Sequence, residues 1–413
     1  MKFYRILLCL IIIFFLFISP VLADDEEYEL YSDISSVTSS SVANIDEPSI
    51  NSRAAIIYER SSGTILYGKA ENEKRKMAST TKIMTAIVVI ENSNLEDIVT
   101  VSSKAAGTGG SRLGLHTNDK ISIKNLLYGL LLCSGNDAAV ALAEQVGGDI
   151  PNFANLMNSK AVSLGLSSTH FVTPHGLDDD NHYTTAYELA LITNYALKNE
   201  VFSSLVNTKT YTISINNYPK TLSNTNELLG NLDGVYGVKT GFTNGANRCL
   251  VTATKRGNMD IICIVLGADT KKDRTKDSIA LINYAFNNFK MINIQEKITN
   301  EFANWKICNS TNLSVKKGVS NNINIVLEDL PYNFLPVNSN YQDDISIYIY
   351  CNKDLEAPLP ANSNIGYLTV TISNKTILTL NIYNSNAITL KSPMDFYNTF
   401  LMHYTYYLES AFY

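Results

Sequence analysis

Cysteine is sparse in this chain and shows no pairing pattern. The 413 residues include six cysteines, and Cys9 lies in a segment that we expect to be removed. An odd set of five remains, with no C-x-x-C pair among them. Such a set argues against a disulfide framework and against a structural zinc site. The five are Cys133, Cys249, Cys263, Cys308 and Cys351.

Basic residues are also in short supply. Lysine and arginine number 33 against 39 acidic residues, a net charge of −6. Removal of residues 1–23, which contain Lys2 and Arg5 and no acid, lowers the net charge to −8. A protein that binds the phosphate backbone needs a clustered basic face. The sequence therefore predicts no nucleic-acid partner.

Long apolar runs are absent apart from one near the N-terminus. Residues 6–18 are apolar throughout, and 13 residues are too few to span a bilayer. Lys2 and Arg5 precede this run, and Ala23 ends a stretch of small residues before Asp24. This pattern is typical of a signal peptide over residues 1–23. We therefore expect an exported, extracytoplasmic protein, the alternative being a retained membrane anchor.

Three segments follow the signal peptide. Residues 24–52 are rich in acid and serine and predict a solvated linker. Residues 53–290 begin with two β runs around a glycine turn, continue as helices from about residue 79 to 197, and return to strands after 207. This order predicts an α+β domain, an antiparallel sheet flanked by helices. Residues 291–391 alternate apolar and polar side chains, which predicts a small all-β sandwich.

A serine and a lysine lie three residues apart at the start of the helical region. On a helix, this spacing places Ser79 and Lys82 on one side, about 5–6 Å apart at Cβ. Such a pair can act as nucleophile and general base. The spacing alone is weak evidence for a catalytic pair, because Ser314 and Lys317 repeat it in a segment that is predicted to be β-rich.

Two further short motifs follow. Ser134 and Asn136 belong to a polar Ser-Gly-Asn corner between two apolar helical stretches. The only Lys-Thr-Gly of the chain, Lys239 to Gly241, comes directly after an apolar strand. Its lysine supplies positive charge, its threonine supplies a hydroxyl for a carboxylate, and its glycine lets a substrate approach the backbone.

All three motifs in this order form the signature of penicillin-recognising serine enzymes. The chain resembles a low-molecular-weight penicillin-binding protein of the D-alanyl-D-alanine carboxypeptidase family over residues 53–390. The similar stretches are 77–85 (MASTTKIMT), 134–138 (SGNDA), 174–177 (PHGL), 182–186 (HYTTA), 225–229 (TNELL), 237–243 (GVKTGFT), 357–358 (AP) and 366–368 (GYL). One departure is Asn247, where the family usually has glycine, and asparagine tolerates a positive φ.

The resemblance implies a serine peptidase that trims D-alanine from peptidoglycan stem peptides. Ser79 would be the acylated nucleophile, Lys82 the general base and Ser134 a proton relay. Burial and the charge of Lys239 should lower the pKa of Lys82 and let it accept the serine proton. The resemblance also implies a β-lactamase/DD-peptidase-like fold, covalent inhibition by β-lactam antibiotics, and no metal or cofactor.

Substrate-binding roles follow from the same resemblance. Asn136 would bond the stem-peptide amide, and the backbone N–H groups of Ser79 and Phe242 would form the oxyanion hole. The substrate-binding residues implied are Asn136, Lys239, Thr240, Gly241, Phe242 and Thr243. Of these, Lys239, Thr240 and Thr243 are the main candidates to bind the substrate carboxylate.

Three other functions remain as alternatives. A class A β-lactamase shares the motifs, but the chain has no E-x-x-L-N segment and has Ser-Gly-Asn in place of Ser-Asp-Asn. A zinc hydrolase would use His170, His175 and His182, which lack the H-E-x-x-H spacing. A wall-binding relative that has lost its activity is the third alternative.

Residues 392–413 predict an amphipathic helix. Pro393 can begin a helix, and one face then carries mostly aromatic side chains. Related carboxypeptidases end in a helix that lies on the outer face of the cytoplasmic membrane, and this tail resembles one. The alternative is a helix packed on the β-sandwich. The tail has no lysine or arginine, so anionic lipid would not attract it. The face comprises Phe396, Phe400, Tyr404, Tyr407 and Ala411.

Overall fold

The computed structural model describes residues 47–309, 313–320, 323–341 and 345–411. The predicted signal peptide, residues 1–23, lies outside the described residues, as does most of the predicted linker, 24–52.

A five-stranded antiparallel sheet forms the centre of the first domain. Its strand order is β2-β1-β9-β8-β7, so β7 lies at one edge with β8 as its strand neighbour. Residues 261–266 of β9 are buried on both faces because helices cover the two sides of the sheet. The predicted fold class is confirmed. The strands are β1 (Ala54–Glu59), β2 (Ile65–Lys69), β7 (Val235–Thr243), β8 (Asn247–Arg256) and β9 (Met259–Ala268).

Helices pack on both faces of this sheet. A 3-10 turn, Ala78–Thr81, leads into the first helix. The Ser122 side chain caps the third helix by accepting from the Asn125 N–H. Helix α8 covers the opposite face with Leu281 and Ile282. The helices are α1 (Lys82–Asn92), α2 (Ser103–Ala106), α3 (Ile123–Leu131), α4 (Asn136–Gly147), α5 (Ile150–Ser163), α6 (Ala186–Ala196), α7 (Glu200–Val206) and α8 (Lys271–Asn288).

Two small antiparallel hairpins complete this domain. The first pairs β3 (Ile98–Thr100) with β4 (Lys120–Ser122), and the second pairs β5 (Thr210–Ile215) with β6 (Tyr218–Ser223). The chain between β6 and β7 runs along the edge of the central sheet, where it contacts the start of β7.

The C-terminal domain is a β structure with one helix that the sequence did not predict. Helix α9 (Ile294–Asn309) buries Ile294, Ile298, Phe302 and Trp305, spaced as one helical face. The strands around it form a four-stranded sheet of order β12-β17-β16-β14 and two strand pairs, β10-β13 and β11-β15. The strands are β10 (Phe289–Asn293), β11 (Val315–Lys316), β12 (Ile325–Leu327), β13 (Phe334–Asn338), β14 (Ile345–Cys351), β15 (Leu355–Glu356), β16 (Asn364–Ile372) and β17 (Lys375–Asn384).

The chain ends in helix α10 (Pro393–Ala411), which presents large apolar side chains to solvent. Within the described ranges, no helix combines the length and the hydropathy needed to cross a bilayer. The exposed side chains of α10 are Met394, Phe396, Tyr397, Phe400, Leu401, Met402 and Tyr404.

Candidate active site

Ser79 lies in the 3-10 turn directly before α1, with its side chain partly open to solvent. The preceding residue, Ala78, has a φ of 49°, a conformation that a residue with a Cβ rarely adopts. The Oγ atom of Ser79 lies 2.9 Å from Nζ of Lys82, one turn further along. The first sequence motif therefore forms a direct contact between its serine and its lysine.

Lys82 is completely buried, and its amine has three oxygen neighbours. Besides Ser79, Nζ lies 2.7 Å from Oδ1 of Asn136 and 2.9 Å from the carbonyl oxygen of His175. Burial and then the positive charge of Lys239 lower the pKa of this amine well below its ordinary value of 10.5. A neutral amine can donate to the two carbonyl oxygens and accept from the serine hydroxyl. The expected shift of the Lys82 pKa is confirmed in direction.

The Ser-Gly-Asn motif forms the corner between α3 and α4. Ser134 has a φ of 63°, and its buried Oγ has no hydrogen-bond partner among the described residues. Asn136 begins α4 and joins three segments, because its Nδ2 donates to Gly109 O and its N–H to Ser111 O, both at 2.8 Å, while Oδ1 accepts from Lys82. The corner thus holds one buried hydroxyl without a described partner, two residues before the amide that contacts Lys82.

A buried carboxylate supports this corner from the other side. Asp137 accepts hydrogen bonds from the backbone N–H groups of Leu113, Gly114 and Leu115, at 2.7 to 3.0 Å. Three donors satisfy the carboxylate and hold the loop before β4 against α4. The loop in turn fixes the amide of Asn136 through Gly109.

The Lys-Thr-Gly motif lies on the edge strand β7. Lys239 is buried, and its Nζ donates to Thr240 O at 3.0 Å. Burial, together with the charge of Arg274, lowers the pKa of Lys239 to about 7. The charge of Lys239 is among the causes that lower the pKa of Lys82, so Lys239 holds its proton while Lys82 titrates.

Gly241 lets the edge strand approach the nucleophile. A Cβ atom at this position would lie 3.1 Å from Ser79 N and 3.1 Å from Ala78 Cβ, closer than ordinary packing allows. Phe242 is 47% exposed, and the guanidinium of Arg248 lies 3.6 Å from the centre of its ring. Edge strand and nucleophile therefore share one open groove.

Thr243 occupies the far end of the motif. Its hydroxyl donates to Oδ1 of Asp178 at 2.6 Å and accepts from the N–H of Ala246. Asn247, the first residue of β8, has a positive φ of 57°, which asparagine tolerates as the sequence predicts. The Thr243 hydroxyl is thus already paired with a carboxylate, whereas none of the described acidic side chains forms an ion pair with Lys239. Lys239 and Thr240 are the better placed of the three carboxylate-binding candidates.

The loop that contains His182 holds the nucleophile turn, a role that its sequence alone did not indicate. Nε2 of His182 lies 2.8 Å from Thr81 Oγ1, and that hydroxyl donates to Ala78 O. Nδ1 of His182 accepts from Val172 N–H at 3.0 Å, so the proton belongs on Nε2. Burial lowers the pKa of His182 to about 4, which keeps this neutral tautomer at physiological pH.

The three histidines of the zinc alternative serve separate contacts. His170 bonds Asn181 O, His182 bonds Thr81, and burial followed by the charge of Lys82 lowers the pKa of His175 to about 3. In the part of the chain that the structure describes, no group of three or more potential metal ligands comes together.

Arg274 and Glu227 were not found from the sequence. Arg274 lies near the start of α8, is 4% exposed, and pairs with Glu227 at 3.2 Å. Its charge contributes to the lowered pKa of Lys239. Neither residue is in one of the three sequence motifs. Arg274 lies among other polar residues at the start of a helix, so no local pattern distinguishes it in the sequence.

A serine in contact with a buried lysine of lowered pKa, beside a strand that carries a second buried lysine, is an arrangement typical of serine acyl-transfer enzymes. The comparisons with known proteins agree with this chemistry. A family model for D-alanyl-D-alanine carboxypeptidase matches residues 41–270, and one for the C-terminal domain of penicillin-binding protein 5 matches residues 303–390. The chain belongs to the D-alanyl-D-alanine carboxypeptidase family.

Individual relatives cover most of the chain. D-alanyl-D-alanine carboxypeptidase DacF of Bacillus subtilis is 33% identical over 322 residues, which is 76% of this chain and 80% of that protein. The DacA carboxypeptidase of Escherichia coli is 31% identical over 343 residues, 80% of this chain and 82% of that protein.

Solved structures give the same result for the fold. Penicillin-binding protein 5 from Haemophilus influenzae has a TM-score of 0.68 and 28% identity, covering 84% of this chain and 99% of that one. The Streptomyces K15 DD-transpeptidase has a TM-score of 0.56 and 36% identity, covering 59% and 99%. The chain is thus a serine-type D-Ala-D-Ala carboxypeptidase, a hydrolase of the penicillin-binding type, which replaces the β-lactamase alternative.

Proposed function

We propose that Ser79 is the residue that this enzyme acylates, and that Lys82 is its base. The observation that supports this proposal is the 2.9 Å contact between Ser79 Oγ and Lys82 Nζ, together with the pKa of Lys82, which is well below its ordinary value. Ser79 attacks the carbonyl between the two terminal D-alanines, Lys82 takes the hydroxyl proton, and a covalent ester forms as the peptide bond breaks.

The leaving D-alanine amine needs a proton, and we propose that Ser134 relays one. Its buried Oγ, unpaired within the described residues, lies at the corner that also carries Asn136, the partner of Lys82. A proton that Lys82 has accepted can pass through the Ser134 hydroxyl to the departing nitrogen. Water then hydrolyses the ester, and Lys82 removes its proton in the same way.

Substrate binding is assigned to the edge strand and to Asn136. The close approach of Gly241 to Ser79 supports an oxyanion hole made by the N–H groups of Ser79 and Phe242. Lys239 and Thr240 receive the terminal carboxylate, and the exposed ring of Phe242 flanks the peptide. A β-lactam fits the same positions and remains as a stable ester, so we expect covalent inhibition.

The first experiment compares two serine variants. Ser79→Ala should abolish both labelling by fluorescent penicillin and release of D-alanine from a stem pentapeptide, measured by mass spectrometry. The matched control is Ser314→Ala, because Ser314 also precedes a lysine by three residues but lies directly before a strand of the C-terminal domain. Loss of labelling in Ser314→Ala, with Ser79→Ala still active, would overturn the assignment. Labelling of the wild type, together with release of D-alanine, separates an enzyme from a relative that has lost its activity.

We also propose that the enzyme works outside the cytoplasm, held on the outer face of the cell membrane by α10. The N-terminal signal pattern supports export. The seven exposed apolar side chains of α10 support adsorption to a lipid surface, because none of them is covered by another described segment. The tail has no lysine or arginine, so its binding rests on aromatic burial at the level of the lipid headgroups.

A further inference from the structure

The outer face of the four-stranded sheet in the C-terminal domain carries a cluster of tyrosines. The inner face of the same sheet packs into the core of the domain through residues such as Leu368 and Leu380. Because side chains alternate along a strand, β14 and β16 turn Tyr348, Tyr350 and Tyr367 toward solvent, where they are 42 to 50% exposed. Clusters of large exposed side chains on a soluble protein mark interaction sites.

Two of these rings are held against each other. Tyr350 on β14 is the register partner of Tyr367 on β16, and their ring centres lie 5.2 Å apart with the ring planes inclined by 30°. Tyrosine supplies a large, rigid contact area at a low entropic cost. The pair therefore forms a platform on which a flat, apolar molecular surface can stack.

Polar side chains continue this row on the next strand. Asn381 on β17 is the register partner of Tyr367, and its Nδ2 donates to Oε2 of Glu328 at 2.9 Å. Oδ1 of Asn381 accepts from Nδ2 of Asn364, also at 2.9 Å. A side-chain amide has two N–H donors, and each of these two amides uses one of them among the described residues. The second donor of each amide can bind a ligand.

A second row lies beside the first. Tyr348, Thr369 and Thr379 are register partners on the same three strands, and Thr379 is exposed. Neighbouring strands lie about 4.8 Å apart, so each row crosses about 10 Å of surface. We call the two rows together the tyrosine face. It consists of Tyr350, Tyr367 and Asn381 in the first row and Tyr348, Thr369 and Thr379 in the second.

The charge of the tyrosine face selects its ligand. Strands β14 and β16 contain no charged residue, and β17 contains only Lys375, at the turn that joins it to β16. The charged side chain that bonds to the first row is the carboxylate of Glu328. A carboxylate without a cation in either row disfavours phosphate polymers and anionic lipid. The face therefore suits a neutral ligand that has hydrogen-bonding groups of its own.

A chain of N-acetylated sugars combines these properties. Each sugar ring has an apolar face of C–H groups, which can stack on tyrosine, and a rim of hydroxyl and acetamido groups, which can bond amides and a carboxylate. In peptidoglycan the lactyl carboxyls of the glycan are consumed in amide bonds to the stem peptides, which leaves the strand itself neutral. We propose that the tyrosine face binds the glycan strand to which the stem peptides are attached.

The consequence is a second point of attachment to one polymer. The active site binds the stem peptide, and the tyrosine face binds the glycan, so the polymer raises the effective concentration of its own stem peptides. A soluble stem peptide has no glycan and gains nothing from the face. This inference does not depend on the assignment of Ser79 as the nucleophile.

The binding test uses the full-length mature enzyme with its active site blocked by penicillin, in mild detergent that covers the apolar side chains of α10. Sedimentation with insoluble peptidoglycan free of teichoic acid gives the apparent Kd. Tyr350→Ala combined with Tyr367→Ala should raise this Kd at least about tenfold, because truncating central aromatic anchors has effects of this size. Tyr218→Ala is the matched control and should leave the Kd unchanged, since Tyr218 is 77% exposed on β6 of the other domain.

Activity supplies a second measurement. The double variant should raise the KM for D-alanine release from polymeric peptidoglycan about tenfold, with the rate on a soluble stem pentapeptide unchanged. Tyr350→Phe keeps the ring and should behave like the wild type. If the double variant does not fold, Thr379→Glu decides, because it adds a charge at an exposed position of the face and removes no ring. It should also weaken binding to peptidoglycan.

Three results count against the glycan as the ligand. The first is a blocked wild-type enzyme that does not sediment with peptidoglycan, and the second is a double variant whose Kd is unchanged. The third is a face whose tyrosines are needed only for self-association or for binding polyglycerol phosphate. Absence of penicillin labelling in the wild type would instead contradict the assignment of Ser79, and the comparison of variants would still decide the role of the tyrosine face.

Discussion

Three oxygen atoms surround the amine of Lys82, and they determine which protonation state the site can hold. A charged amine would donate to all three, leaving the serine hydroxyl unable to give its proton away. A neutral amine donates to Asn136 Oδ1 and His175 O and keeps its lone pair for Ser79. Burial favours the neutral form. The geometry and the electrostatics of this residue thus point to the same state.

The pH dependence of acylation should follow the two lysines. The rate rises as pH increases through the lowered pKa of Lys82, because only the neutral amine accepts a proton. It falls as pH increases past about 7, because Lys239 then loses the charge that holds the substrate carboxylate. The measurement is the second-order rate of penicillin acylation across pH, expected to be bell-shaped. A rate that climbs steadily to about pH 10, the ordinary range of a lysine, would contradict this ordering of the two amines.

Replacing the base by a permanent cation gives a second test. Lys82→Arg should reduce acylation by about 10²- to 10⁴-fold, the usual contribution of a general base, because a guanidinium stays protonated. Labelling kinetics with fluorescent penicillin measure this loss. Lys124→Arg is the control, since Lys124 is exposed on α3, and it should react like the wild type. Substantial turnover by Lys82→Arg would remove Lys82 from the role of base.

The sequence predicted these residues unevenly, for a physical reason. Ser79, Lys82, Ser134 and Lys239 lie in short motifs whose spacing reflects local helix and strand geometry. Thr225 and Asn226 lie in the stretch 225–229, which was noted only as similar to the family, and the contact of Thr225 with Leu132 O joins segments far apart in the chain. Arg274 contacts Glu227, which is 47 positions away. Contacts of that kind leave no local spacing pattern, so no role was predicted for these residues.

At the scale of elements, the loop from Pro174 to His182 supports the nucleophile turn. Thr85 Oγ1 donates to Pro174 O at 2.6 Å, His175 O accepts from Lys82, and His182 bonds Thr81. Gly176 has a φ of 82°, and a Cβ there would lie 2.0 Å from Ala78 O and 2.5 Å from Thr81 Oγ1. The loop therefore packs directly on the backbone that carries Ser79.

Gly176→Ala should displace this turn. A second glycine of the same domain separates the steric effect from the backbone effect, because Gly165 has a φ of 74° but open space where a Cβ would lie. Both alanine variants incur the left-handed strain of about 1–2 kcal/mol. Gly176→Ala should lose a further ~1–3 kcal/mol through overpacking, and its acylation rate should fall. Urea unfolding and penicillin labelling measure the two effects, and equal behaviour of both variants would contradict the role of the contact.

Helix α9 shows why one element was not evident from the sequence. Its four buried apolar residues, Ile294, Ile298, Phe302 and Trp305, are separated by polar ones such as those at positions 295–297. The hydrophobic face of this helix is only one residue wide. The alternation of apolar and polar residues in the later strands of the domain therefore determined the predicted structure. The central sheet, with its apolar runs in β8 and β9, was in contrast evident from the sequence.

At the scale of the whole molecule, the proposed attachment to the membrane depends on α10. Deleting residues 393–413 should move the mature enzyme from the membrane fraction to the soluble fraction of cells, with activity retained. Phe396→Glu combined with Phe400→Glu should act like the deletion, because both side chains are exposed. Asn398→Glu adds a negative charge elsewhere on the helix and is the matched control. A full-length enzyme that is already soluble, or a truncated one that stays on the membrane, would contradict the proposal.

The groove brings together residues that lie up to 160 positions apart in the chain, from Ser79 to Lys239. The site is complete only when β7 has joined the sheet and Thr225 has reached Leu132. Contacts between residues so far apart in sequence form slowly, because the chain between them must first be closed into a loop. We therefore expect a fluorescent penicillin to react only with folded molecules, so the label can count mature enzyme during export or refolding. Labelling by a β-lactam antibiotic would then measure the fraction of this protein that has reached its folded tertiary structure.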